Sequence, residues 1–119
     1  MKIAIPASST APTTTVEARF ARAPVFLVFD TEGETWETLE NTQVLNAVQG
    51  AGIQAAETLV RHGVNAVLTT HCGPKAFRAL QAADVAVYID VTGSVDEAVH
   101  MLRAGALQPA TGPDVEGHW

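Results

Sequence analysis

Apolar residues change their period near the middle of the chain. In the first half they fall in short runs. Lys2 to Ala7 (KIAIPA) and Val25 to Asp30 (VFLVFD) have the length and apolar content of buried strands. Thr35 to Asn41 (TWETLEN) alternates and is more polar, which predicts an edge strand. Thr31-Glu32-Gly33-Glu34 between them predicts a hairpin turn, with Gly33 as the residue free to take positive φ. From Gly52 onward the spacing becomes helical. Ile53, Ala56, Leu59 and Val60 share one face, so Gly52 to His62 predicts a helix with Gly63 as its C′ residue. Val64 to Thr70 and Val85 to Asp90 predict two more strands. Between them, Pro74 suits the first position of a helix that continues from Lys75 to Ala83. Ser94-Val95-Asp96-Glu97 is a capping box that opens a third helix through Arg103, closed by Gly105.

The element order is therefore β-β-β-α-β-α-β-α. A meander followed by alternating helices and strands predicts an α/β fold whose last two strands run parallel. Right-handed crossovers place the fourth strand beside the first. The expected result is a mixed five-stranded sheet of order 3-2-1-4-5 with three helices, a three-layer arrangement resembling the ribonuclease H-like fold. Ligands in such sheets bind at the carboxyl ends of strands that leave in different directions. Here that crevice lies beyond strands 1 and 4. The loops over Ser8 to Ala23 and Thr69 to Pro74 should meet there. The tail from Gln108 to Trp119 carries two prolines and two glycines and predicts irregular chain.

Composition narrows the class. With 119 residues the chain reads as one domain, and 47% hydrophobic content is too high for a disordered chain. Ala and Val supply most of that content, which points to close packing and to stability gained from a ligand or from weak homo-oligomerisation. No apolar run approaches the roughly 20 residues of a membrane helix, and the N-terminus lacks a signal-peptide pattern. A soluble cytoplasmic protein is expected. Net charge is −6, with only five arginines and two lysines, a poor balance for nucleic-acid binding. One cysteine forms no internal disulfide and no Cys-rich zinc site.

The most informative stretch is Thr70-His71-Cys72-Gly73-Pro74-Lys75. Cys72 stands between a strand and a helix start, where amides and the helix dipole favour an anion, including a thiolate. His71 and Lys75 add positive field. Cys72 and His71 are thus candidate metal ligands, against the plain alternative of an inert buried thiol. His71-Cys72 followed by Arg78 also matches the cysteine-phosphatase pattern. Pro74 donates no N–H, however, and 75–77 reads as helix rather than phosphate cradle. Arg19 and Arg22 on the first loop, with the hydroxyls of Thr13, Thr14 and Thr15, suit an anionic ligand. The alternative is two solvated surface arginines. His62 at a helix end and His100 on the third helix read as structural, and His118 lies in the tail. Asp30, Asp90 and Asp114 do not form the carboxylate cluster of a metal-dependent nuclease.

Four motifs in order resemble one known family: Phe20-Ala21-Arg22-Ala23-Pro24-Val25-Phe26, Gly50-Ala51-Gly52-Ile53-Gln54-Ala55-Ala56, Gly73-Pro74-Lys75-Ala76-Phe77, and Pro113-Asp114-Val115-Glu116-Gly117-His118. Together they are similar to the dinitrogenase iron–molybdenum cofactor biosynthesis family, which includes NifX-type carriers and the C-terminal domain of NifB. The resemblance implies the ribonuclease H-like fold. It also implies non-catalytic binding or carriage of a metal–sulfur cluster, of Fe/Mo–S or, in orange-protein-type members, Mo–Cu–S composition. A cluster donor or acceptor protein is the implied partner, and the alternative reading is a protein-interaction or regulatory module without a bound cluster. Such a cluster is polyanionic, so Thr13, Thr14, Arg19, Arg22, Thr70, His71, Cys72 and Gly73 form the expected binding set. Two departures matter. Arg19-Phe20-Ala21 stands where many relatives carry a histidine before Phe-Gly, which shifts this loop from ligation to charge pairing. Thr70-His71-Cys72 replaces a loop that is often glycine-rich.

Overall fold

The computed structural model describes residues 1–42 and 50–114. Five strands form one sheet: β1 (Lys2–Ala7), β2 (Val25–Asp30), β3 (Thr35–Glu40), β4 (Ala66–Leu68) and β5 (Ala86–Tyr88). Their order is β3-β2-β1-β4-β5, as the element pattern requires. β1, β2 and β3 pair antiparallel, whereas β1–β4 and β4–β5 are parallel. The helices are α1 (Ala51–Arg61), α2 (Pro74–Ala82) and α3 (Val95–Arg103), and one 3-10 turn spans Phe20–Arg22. This mixed sheet with three helices is the ribonuclease H-like arrangement.

Strand alternation divides the core into two layers. Ala4, Phe26 and Val28 face α1 and α2, where they meet Ala55, Leu59, Phe77 and Leu80. Ile3, Ile5, Ala7 and Leu27 face the opposite side and meet Val95, Ala98 and Val99 of α3. No helix among the described residues is long and apolar enough to cross a membrane.

Local chemistry sets the ends of the elements, with some differences from expectation. β4 and β5 are three residues each rather than six or seven, because the chain on either side turns to loop pairings, as in Val91 N–H to Thr69 O at 3.1 Å. In the β2–β3 turn it is Glu34, not Gly33, that takes positive φ, at 51°. Gly63 and Gly105 do adopt positive φ behind α1 and α3, at 73° and 75°. The capping box forms: the Ser94 hydroxyl accepts from the Glu97 amide. His62 Nδ1 lies 2.9 Å from the Thr58 carbonyl, so this histidine caps α1 structurally. The described part of the tail, 108–114, contains no helix or strand, and His118 lies outside the described residues.

Cys72 requires a correction. The sequence suggests an activated thiolate, yet the side chain is 0% exposed and packs in the core between the sheet and α2. Its thiol points to the Gly73 carbonyl at 3.7 Å. Burial, reinforced by the Asp114 carboxylate nearby, pushes its pKa up from 9.0 to about 12. The favourable helix end is outweighed because the sulfur has left water. The linkage follows directly. Below pH 9 the thiol is protonated in both the folded and the unfolded chain. Above it the unfolded chain ionises first, so alkali favours unfolding by up to about 1.4 kcal/mol per pH unit. Urea unfolding between pH 7 and 10.5 should therefore show stability falling with pH, and less steeply in Cys72→Ala. Equal slopes for the two proteins would contradict this.

Candidate anion-binding site

The two loops expected to converge do so. After β1 the chain doubles back, with the Glu17 amide donating to the Pro6 carbonyl at 2.8 Å. Arg19 then lies beside His71 in a parallel bridge, and the His71 amide donates to the Ala18 carbonyl at 3.1 Å. Two hydroxyls brace the loop after β4. Thr69, fully buried, donates to the His71 carbonyl at 3.1 Å, and Thr70 donates to the Val91 carbonyl at 2.6 Å. Thr70 is thus committed to the fold.

Arg22 ends the 3-10 turn and reaches a cavity of about 170 Å³. Its other walls are Phe20 and Ala21, the start of α1 (Gly50 to Ile53), and the start of α2 (Gly73, Lys75 and Ala76). Two helix N-termini therefore open on one cavity. The N-caps are Gly50 and Gly73, neither helix has a side-chain cap, and neither carries an acid in its first turn. α3 is the contrast, with Ser94 as cap and Asp96 and Glu97 behind it. The first amides of α1 and α2 have no intrahelical acceptor, and each dipole presents its positive end. Arg22 and Lys75, both exposed, add formal positive charge. This combination favours an anion.

Gly52 explains how the two ends come so close. A methyl group there would sit 3.2 Å from Ala76 Cβ, so α1 and α2 touch through a glycine–alanine contact.

The expected set is only partly assembled. Arg22 and Gly73 share the cavity, and Arg19 pairs with His71. Thr13 and Thr14 do not line that cavity. Their segment packs on α3, where the Thr14 carbonyl accepts from the Val95 amide at 2.9 Å and the Thr14 hydroxyl lies 3.2 Å from that of Ser8. The polar loop serves the end of α3 rather than the crevice. Cys72 does not line the cavity: its amide is taken by Asp114 and its sulfur lies in the core. The sequence reading also missed part of the wall, the α1 start at Gly50 to Ile53. Its readable signal was a glycine where a capping Ser or Asp usually stands, followed by no acid.

Asp114 is a further member. Its carboxylate accepts from the Cys72 amide at 2.9 Å and from His71 Nδ1 at 2.9 Å. This pairing places the protonated nitrogen of neutral His71 at Nδ1.

No group of three His, Cys, Asp or Glu side chains that would hold a metal ion exists among the described residues. A phosphatase cradle is not formed either. Pro74 begins α2 directly after Gly73, so Arg78 stands exposed a full turn up the helix, and the thiol is protonated. The donors present are amides, a guanidinium and an ammonium, which suit an anion already complete in itself.

The protein-family model described as dinitrogenase iron–molybdenum cofactor matches residues 1–105. An uncharacterized protein of Methanocaldococcus jannaschii is 30% identical over 111 residues, covering 91% of this chain and 90% of its own. Among solved structures, the apo form of the orange protein from Desulfovibrio gigas has a TM-score of 0.90 and 36% identity, covering 96% of each chain. A NifB-like protein from Thermotoga has a TM-score of 0.82 and 35% identity, covering 98% of each. Match length, identity and fold agree, and the chain belongs to the dinitrogenase iron–molybdenum cofactor family.

Proposed function

We propose that this chain binds and carries a preformed anionic metal–sulfur cluster, of the Fe/Mo–S or Mo–Cu–S type, in the cavity between the starts of α1 and α2. The observation that carries the reading is the pair of uncapped helix N-termini facing one cavity together with Arg22 and Lys75. A cluster of this type is polyanionic, and its sulfides accept hydrogen bonds from amides and guanidinium groups. The cluster brings its own bridging sulfides, so the protein need not supply a full ligand set. Arg19 and His71 lie side by side on the two loops that lead to the cavity walls. Cys72 acts through its backbone and its place in the core rather than as a thiolate ligand.

The role is carriage rather than catalysis: capture by charge and amides is reversible, which suits transfer between a donor and an acceptor protein. Net charge is −6, so the local cations work against the global field.

The test is reconstitution. Apo-protein is incubated with tetrathiomolybdate and copper(I), desalted, and scanned in the visible range. A protein-bound charge-transfer band is expected, with retention lowered about tenfold in Arg22→Ala and in Lys75→Ala. No band on the native protein after desalting would sink the reading for these clusters. Gly50→Asp separates binding from stability. A Cβ at Gly50 meets nothing within 4 Å, and its φ of −74° suits any residue. The carboxylate should cap α1 and raise stability by a few tenths of a kcal/mol, while cluster retention falls. Unchanged retention would argue against the α1 start as part of the site.

A further inference from the structure

The Asp114 carboxylate binds the amide of Cys72, the residue before the cavity wall at Gly73. We infer that residues 110–114 form a strap whose Asp114 carboxylate holds donors beside the Gly73 wall of the site, so that cluster and strap compete. This rests on the reading of the cavity given above and adds its regulation.

The strap has an anchor, a span and a latch. The anchor is Ala110, which packs against the core and donates its amide to the Val87 carbonyl at 2.7 Å. The span holds Gly112, where a Cβ would meet nothing within 4 Å, so this stretch is not wedged into the fold. The latch is Asp114. Its two oxygens take the Cys72 amide and His71 Nδ1, each at 2.9 Å, and its own amide donates weakly to the Cys72 carbonyl at 3.4 Å. Closure thus depends on one side chain binding two donors.

Those donors directly precede Gly73, which is both the N-cap of α2 and a wall of the cavity. A carboxylate there occupies the amide of the residue next to the α2 N-cap. It also sets a negative charge on the residue adjoining the Gly73 wall of that cavity. An arriving polyanion meets the carboxylate as a competitor for amides and as a like charge. Binding should therefore displace the latch, and loss of the cluster should let it return. The strap then protects the amides of the empty site and speeds release of the cargo.

The test uses the full-length chain with tetrathiomolybdate alone as the probe, titrated at fixed low salt. The proteins are the native chain, Asp114→Asn, Asp114→Ala and Arg22→Ala. The Cys72 amide resonance, assigned by NMR, is the second readout. Asp114→Ala should bind about tenfold more tightly than the native chain, as one charge-assisted latch is removed, with Asp114→Asn between. In the native chain, the probe should move the Cys72 amide toward its position in free Asp114→Ala. Simple removal of a negative charge would tighten binding without that movement, so an unmoved Cys72 amide overturns the strap at any affinity. Equal or weaker binding by Asp114→Ala, with Arg22→Ala still impaired, overturns the strap and leaves the site standing. Failure of every protein to bind overturns both.

Discussion

The structure depends on one contact, the meeting of Gly52 and Ala76. Two helices normally stand apart by the bulk of their side chains, some 8–10 Å between axes. Here a glycine faces an alanine at the first turn of each helix, with 3.2 Å available to a methyl that is not there. The two N-termini therefore converge, and so do their first amides, which have no acceptor within their own helices. A larger residue at either position would part the helix ends and spread their positive field. The 3-10 turn that carries Arg22 completes the cavity on a third side.

This arrangement reconciles two charges that seem opposed. The chain as a whole is acidic, yet the cavity gathers positive charge. Backbone dipoles achieve this without adding net charge, and Arg22 and Lys75 supply the rest locally. The acids near helix starts are confined to α3, where Ser94, Asp96 and Glu97 cap the helix in the usual way. α1 and α2 forgo that stabilisation, worth about 1 kcal/mol per cap. The fold tolerates it because both helices bury an apolar face in one core layer.

The sheet was legible in the sequence because strand and helix periods are local signals. Ile3, Ile5 and Leu27 alternate with Ala4, Phe26 and Val28, and the parallel arrangement of β4 and β5 follows from the helices between the strands. The site was half legible. Arg22 and Gly73, expected together, do line one cavity, Arg22 from the 3-10 turn before β2 and Gly73 from the N-cap of α2. Thr13 and Thr14 could not be placed, since nothing local shows whether a polar loop faces the crevice or α3. Cys72 misled for a related reason. A helix start and an adjacent histidine are visible in sequence, while burial of the sulfur among Phe77, Leu80 and Val87 is a tertiary fact. Asp114 lies 42 residues from Cys72, and only folding brings its carboxylate to that amide.

The central claim is that the joined starts of α1 and α2 are the anion site. Amide chemical-shift mapping tests it most directly. On addition of tetrathiomolybdate to the ¹⁵N-labelled protein, the largest shifts should fall on Gly50 to Ile53, Gly73, Lys75 and Ala76. Shifts centred instead on the groove of Phe29, Trp36, His100 and Arg103 beside α3 would contradict it.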